Sequence, residues 1–528
     1  MKDIIELLDL PDEMILNIMN KVKPQALLFC SVINIGNNRL ERLALDKCHS
    51  IDLSFDYQFN SHELLLKRFY IDVLPHIYNN IQSLTINIKH FFPIHAALQA
   101  MPDKLLPNLR HLKILKGRRH RYTGTPFTIG IHYDLDTHDW PLFSTVPQSV
   151  HMEVQLIDSV LLFIRWSPLM HSIKSFEFDH DVVLVVPVNN DKLFFAKSSY
   201  LTHVSITLLE LSDCVRLLNE LGSQLHSFIV SIMHVCLDDE DIISEIEAIY
   251  CYNLKELKMT MYRNIINYEQ LIIPLLQHLS SVEHLTLLLA IYINESDRFI
   301  DGFHLERNIV SYMPHLRQFN FHIRSILQDS SYIEVDTIRQ SFINQQSADC
   351  TIDCFNNQYS QCHIYSLPFI GNRLDFISNR FPLFDINNTF SMVTILLLFD
   401  DVQPFESDFF IRVFRALPHL RTLEISNQLE QEEKTKTITD PVEYSHLSTL
   451  ILHKIHIDYG KQLLCRAHLP HLVELVIRND VLLTIIDQDN QQARNNCLNV
   501  ETLFIVEPWI EPRSVHLKFF PKLYMENL

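Results

Sequence analysis

Cys350, Cys354, Cys362 and His363 are the side chains best suited to hold a metal, because thiolates and imidazole are the usual zinc ligands. Their spacing matches none of the paired C-x-x-C forms, and alternation along two extended segments accounts for them equally well as core thiols. Lys116-Gly117-Arg118-Arg119-His120-Arg121 is the only dense basic run, with the chemistry of a phosphate-binding patch, an import signal or a solvated loop. The Leu-Pro-His steps at His419 and His471 occupy equivalent positions in a recurring pattern and read as structural. No G-x-G-x-x-G, G-x-x-x-x-G-K-[ST], G-x-S-x-G or H-E-x-x-H occurs, which removes the common nucleotide-binding, hydrolase and zincin signatures. Only 8 glycines stand in 528 residues, so phosphate-cradling loops are nearly excluded. We expect no catalytic residue, no metal and no cofactor.

The elements that would position any binding groups must come from a large apolar interior. Hydrophobic residues make up 47% of the chain and charged residues 20%, a composition that buries a core and argues against long disorder. Lys and Arg total 44 against 63 Asp and Glu, a net charge of −19, which disfavours nucleic acid and anionic membrane as partners and favours proteins. MKDIIELLDLPDEM carries acids inside its apolar stretch and is not a secretory signal, and no apolar run approaches the roughly 20 residues of a spanning helix. Ten scattered cysteines then suggest reduced thiols and a cytoplasmic or nuclear setting.

A chain this long is either several domains or an elongated array, so repeats are sought first. The pattern apolar-x-x-apolar-x-apolar recurs, most clearly as LPNLRHLKI (Leu106 to Ile114), MPHLRQFNF (Met313 to Phe321), LPHLRTLEI (Leu417 to Ile425) and LPHLVELVI (Leu469 to Ile477). Weaker copies start at Ile81, Ile173, Leu201, Leu225, Leu254, Val282, Val393, Leu447 and Val500. From 173 the starts step by 28, 24, 29, 28 and 34 residues, and from 393 by 27, 27, 25 and 28. Between them ESDFFIRVFRA, YEQLIIPLLQHL and DEDIISEIEAIY carry apolar residues at helical spacing. Helix-then-strand alternation predicts an α/β fold with parallel strands, in which each unit must stack on its neighbours to bury its apolar face.

The residue between the last two apolar positions points away from the buried side of its strand. These positions are Thr85, Lys113, Glu177, Ser205, Ile229, Lys258, Thr286, Asn320, Leu397, Glu424, Ile451, Val476 and Phe504. The first eight are mostly polar and the last five mostly apolar, so we expect Leu397, Glu424, Ile451, Val476 and Phe504 to form a substrate-contacting patch. Residues 324–390 read as an irregular insertion, in which CTIDCF and QCHIYSLPF flank the turn-prone Asn356-Asn357 as a hairpin.

Residues 1–50 differ. Pro11 suits the first helical position, with Asp12 and Glu13 at the positive end of the helix and Ile15, Ile18, Met19 and Val22 at helical spacing. A second helix would start at Pro24 with Leu28 and Val32 on one face, and a third would run through NNRLERLALDK with Leu40 and Leu43 inward.

The repeated segments resemble the leucine-rich-repeat family over roughly residues 79 to 506, although the family's Asn or Cys just after the strand does not recur. Leu10-Pro11-Asp12-Glu13 followed by the Ile/Met helix resembles the F-box, without the Trp that many members carry near the third helix. Together they imply three helices at 1–50, a linking segment at 51–78 and a curved repeat solenoid at 79–528. The resemblance implies the substrate receptor of an SCF-type cullin–RING ubiquitin ligase. A Skp-type adaptor would dock on Leu10, Pro11, Glu13, Ile15, Ile18, Met19 and Val22, and a protein substrate on the repeats. A repeat scaffold independent of any ligase is the alternative, and an enzyme with its site in 324–390 a third.

Overall fold

A proline before two acids starts the first helix, as expected, but Pro11 sits one residue earlier than predicted. It is the N-cap, with φ −57° and ψ 152°, of α1 (Asp12–Met19). The proline ring fixes φ while leaving ψ free to enter the helix from extended backbone. α2 (Gln25–Val32) and α3 (Asn38–Leu45) follow, with Leu28, Val32 and Leu43 buried and Leu40 half-buried. In this computed structural model the described residues are 7–22, 25–45, 49–53, 61–99, 106–115, 172–179, 183–184, 200–234, 242–265, 267–293, 298–327, 335–343, 350–356, 360–381, 389–432, 443–506 and 514–523. Pro24 and the basic run 116–121 lie outside them.

The chain divides into two compact units, one comprising Met1–Thr260, Glu269–His284 and Met313–Arg317, the other Met261–Tyr268, Leu285–Tyr312 and Gln318–Leu528. In the first, α1 to α3 accompany β1 (Ser50–Leu53), β2 (Ser83–Asn87), β3 (His111–Leu115), β4 (Ser175–Phe178), β5 (Val183–Leu184), β6 (His203–Glu210), β7 (Ser227–His234) and the start of β8 (Glu256–Ile265). These strands pair in parallel in the order β1-β2-β3-β4-β6-β7-β8, with β5 beside β6. Each leading apolar residue from Ile81 to Val282 is completely buried, as are nearly all the apolar residues that alternate after it. A helix between strands is seen best in α4 (Leu211–Leu221), where Glu210 and Asp213 form a reciprocal capping box and Leu211, Val215 and Leu218 are buried.

A polar residue immediately before the leading apolar position ties one turn to the preceding one. The Asn108 amide donates to the Asn79 carbonyl at 2.6 Å, Asn253 to Ser223 at 2.7 Å, the Ser281 hydroxyl to Cys251, and, in the second unit, Asn499 to Pro470 at 3.0 Å. This tether stands upstream of the strand, and in the second unit Asn379 and Asn427, which follow their strands' apolar positions, also donate to the Pro404 and Gln403 carbonyls of a neighbouring turn. Such tethers satisfy carbonyls that the tight connection would otherwise leave without partners.

The second unit holds β9 (His284–Ile293) from Leu285 onward, β10 (Gln318–Leu327), β11 (Cys350–Asn356) and β12 (Ser360–Ser366). The hairpin expected around Asn356-Asn357 is present as antiparallel β11 and β12, and β12 also pairs antiparallel with β10. A six-stranded parallel sheet follows, made of β13 (Arg373–Ile377), β14 (Ile395–Phe399), β15 (Thr422–Asn427), β16 (Thr449–Ile455), β17 (Glu474–Arg478) and β18 (Thr502–Val506) in sequence order. α5 (Ser407–Ala416) turns Phe409, Phe410 and Val413 into a core that Tyr459, Leu464 and Ile485 share. Residues 324–390 are therefore not wholly irregular, since β13 is a parallel strand of this sheet. Its leading position is Gly371, where a Cβ would stand 2.5 Å from Phe369 Cζ, so the Phe369 ring fills the space that Leu fills elsewhere.

The chain is thus α/β with large parallel sheets. Among the described residues no helix is long and apolar enough to cross a membrane.

Candidate functional site

Two surfaces of the first unit present groups that a partner would meet. The first is built from α1 to α3. The guanidinium of Arg39 on α3 reaches back to the chain entering α1. It donates from Nε to Asp12 at 2.8 Å, from Nη1 to the Leu8 carbonyl at 2.6 Å and from Nη2 to the Leu10 carbonyl at 2.7 Å. Arg42 adds a second cation at 3.6 Å from Asp12. A planar, always-charged fork suits this role, because it holds two carbonyls and a carboxylate with one side chain.

The same segment leaves apolar side chains facing outward. Leu7, Leu8, Met14, Ile18, Leu27 and Ile35 are all more than a third exposed, in a segment of only three short helices. Of the expected docking residues, Ile18 belongs to this set, Pro11 and Glu13 are exposed, and Leu10 and Val22 are half-buried. Ile15 and Met19 do not belong, since they are 0% and 5% exposed. Residues four apart share a helix face, and this face of α1 turns inward. Sequence periodicity marks the apolar stripe but does not say which of two apolar flanks is left outside. Arg39 carried no signal in the sequence, being one arginine among several.

The second surface comes from strand register. Thr85, Lys113, Glu177, Ser205, Ile229 and Lys258 stand side by side on β2, β3, β4, β6, β7 and β8, as the spacing predicted, and Asp52 on β1 extends the row. They are half-buried, so this face of the sheet is not filled by core. Two residues earlier, His111, Ser175, His203, Ser227 and Glu256 form a parallel row. At the edge where the strands begin, successive amides and carbonyls link Arg110, Lys174, Thr202, His226, Lys255, Glu283 and Arg317 in turn.

The acids of this surface are already engaged. Lys113 donates to Glu177, Ser227 Oγ donates to Glu256 at 2.8 Å, and Glu283 lies 3.1 Å from Lys255 Nζ and 3.2 Å from Arg317. Hydrogen bonding from Lys255 holds the Glu283 carboxyl below its ordinary range. Partial burial, then His226 and His111, push the His203 imidazole down against the opposing pull of Glu256.

The third surface expected from the sequence is absent. Leu397 is 0% exposed and Glu424, Ile451 and Val476 are each 1% exposed, while half-buried Phe504 packs with Ile451, Val476 and Val506 in a separate apolar cluster. The expected substrate patch is therefore interior. Its residues are in register as predicted, but their alternation leads into apolar packing on both sides of the sheet, which is the pattern of a fully buried parallel strand.

The metal candidates resolve differently again. Cys354 and Cys362 are cross-strand neighbours on β11 and β12, with their sulfurs facing each other. Among the described residues no group of three or more His, Cys, Asp or Glu is arranged to hold a metal. His363, also on β12, stacks with His322 and Tyr365 in the interior of the second unit. Burial, reinforced by Arg324, pushes the His322 imidazole down to about 3. Asp353 accepts from the Ser378 hydroxyl at 3.3 Å, and burial pushes its carboxyl up to about 7. Arg324 lies 3.9 Å over the Phe376 ring. These groups are packed against one another and no more than 5% exposed, so substrate does not reach them as they stand.

No protein-family model and no curated protein matches the sequence. Among solved structures, one described as the crystal structure of the Rad7 and Elc1 complex in yeast is similar at 12% identity, covering 86% of this chain and 85% of that chain with a TM-score of 0.28. A likeness at this level does not establish a shared fold.

Proposed function

We propose that this chain is a protein-binding receptor of an SCF-type ubiquitin ligase, working in the cytoplasm or nucleus. In this reading α1 to α3 are an F-box that docks a Skp-type adaptor, the stacked turns are degenerate leucine-rich repeats, and the strand face of the first unit holds the protein substrate. No nucleophile is required of it, because tethering a substrate near a charged conjugating enzyme raises effective concentration and leaves the chemistry to other chains. The observation that carries the reading is the exposed apolar set Leu7, Leu8, Met14, Ile18, Leu27 and Ile35 on a helical segment of few residues. Water-facing apolar side chains concentrated this way mark an interaction surface.

The test is a pull-down of the full chain with a recombinant Skp-type adaptor, comparing the wild type with Ile18→Asp. Capture of the wild type and its loss in the variant supports the reading. No capture of a folded wild type overturns adaptor docking and leaves the ligase-independent scaffold.

A further inference from the structure

The strand face of the first unit is locally cationic in a chain whose net charge is −19. Arg110, Lys113, Lys174, Lys255, Lys258 and Arg317 stand on it or along its edge, against Asp52, Glu177, Glu256 and Glu283. Six cations to four acids leaves an excess of two, before any of His111, His203, His226 and His284 takes a proton.

The acids are spent on this surface's own groups, Glu177 on Lys113 and Glu283 on both Lys255 and Arg317. Arg110 and Lys174 make no ion pair among the described residues, whereas Lys258 has Glu256 as a nearby opposite charge; Arg110 and Lys174 are consecutive along the edge, with the Lys174 amide donating to the Arg110 carbonyl at 2.8 Å. Neighbouring cations without counter-charges repel each other and are stabilised by an anionic partner.

Three features select the kind of partner. The rows run across successive strands, so the surface is long and narrow and fits an extended chain. Beside its carboxylates, its polar groups are hydroxyls, imidazoles and ammonium or guanidinium groups, which donate to carboxylates. Among the described residues whose side chains are placed it carries no Phe, Tyr or Trp, the stacking platform with which single-stranded nucleic acid is held.

We propose that this face binds an acidic, carboxylate-rich extended segment of a partner protein, running across β3 to β8 with its charges against Arg110, Lys174 and Lys258. The inference deepens the receptor reading by giving the substrate a chemistry, and rests on that reading only for calling the bound protein a substrate.

The full chain is titrated against a labelled peptide of alternating Glu and Ser, with an equally charged single-stranded RNA and a Lys/Ser peptide alongside. The expected result is binding of the acidic peptide alone, weakening as salt rises. It should fall about tenfold or more in Arg110→Glu/Lys174→Glu, where exposed positions are changed, and also in Lys258→Gln. Equal peptide binding by the wild type and both variants overturns the proposal, as does preference for the RNA. Adaptor capture is measured on the same samples: its retention while peptide binding is absent removes only this inference, and its absence while peptide binding persists removes only the adaptor reading.

Discussion

Lys113 on β3 donates a hydrogen bond to the carboxylate of Glu177 on β4, although 64 residues separate the two in sequence. The pair sits where the repeating pattern places the variable residue of each turn, so its geometry follows from register alone. Both side chains are more than a third exposed, at 39% and 37%. A double-mutant cycle with Lys113→Ala and Glu177→Ala in urea unfolding should give a coupling below about 1 kcal/mol, shrinking further in high salt. A coupling well above that would mean the face is drier than described.

Exposed and buried apolar residues of α1 should separate by phenotype. Ile18→Asp and Met14→Asp should leave helix content and thermal midpoint nearly unchanged and lower adaptor capture at least tenfold. Ile15→Ala should cost about 2–5 kcal/mol of stability, because it empties a fully buried site. Circular dichroism melts beside the pull-down check both, and wild-type stability in Ile15→Ala would contradict the inward-facing assignment.

Arg39 is predicted to act through position and not through contact. Arg39→Lys keeps a charge but cannot reach two carbonyls and Asp12 together, so the Leu8-to-Asp12 segment should loosen. Faster amide exchange confined to the first helix, with weaker adaptor capture, is the expected outcome of hydrogen-exchange mass spectrometry.

Gly371→Leu should destabilise the second unit by about 1–3 kcal/mol, since its side chain would collide with the Phe369 ring. Adding Phe369→Ala should recover part of that loss by vacating the same space. Thermal unfolding of the two variants decides it, and a second change that worsens the first would show that ring and glycine do not share one site.

Asp353 should make stability depend on pH with a definite sign. Its folded carboxyl titrates at about 7, above its ordinary 3.8, so folding favours the protonated form. That contribution is complete below about pH 4 and lost as pH rises through 7. Asp353→Asn should therefore match the wild type in melting temperature near pH 4 and exceed it near pH 8. His322 has the opposite sign, its neutral form being favoured from 6.5 down to about 3, so both proteins should weaken alike on acidification through that range. An identical pH profile for the two would refute the Asp353 assignment.

Much of this architecture was legible because a buried position tolerates few residue types. All thirteen repeat starts lie beside an observed strand, since the leading Leu, Ile or Val must fill the same slot in each turn. β1 escaped notice because Cys48 stands at that slot in the sequence, and β13 because Gly371 does. The helical start at Pro11 was readable from its acids, whereas the inner face of α1 was not, because both of its flanks are apolar. The substrate patch failed for a related reason. Alternation tells which residues share a face, but whether water reaches that face is decided by segments far away in sequence, as at Leu397 and Ile451.

The side-chain tethers from Asn108, Asn253, Ser281 and Asn499 also bear on how the molecule would yield under load. Each spans 29 or 30 residues and fastens one turn to its predecessor. Pulled from its ends, a unit should rupture one turn at a time, each break paying out roughly 100 Å of slack chain at about 3.5 Å per residue. A chain dragged by unfolding machinery would then peel in small steps, keeping the remaining turns intact behind the advancing front.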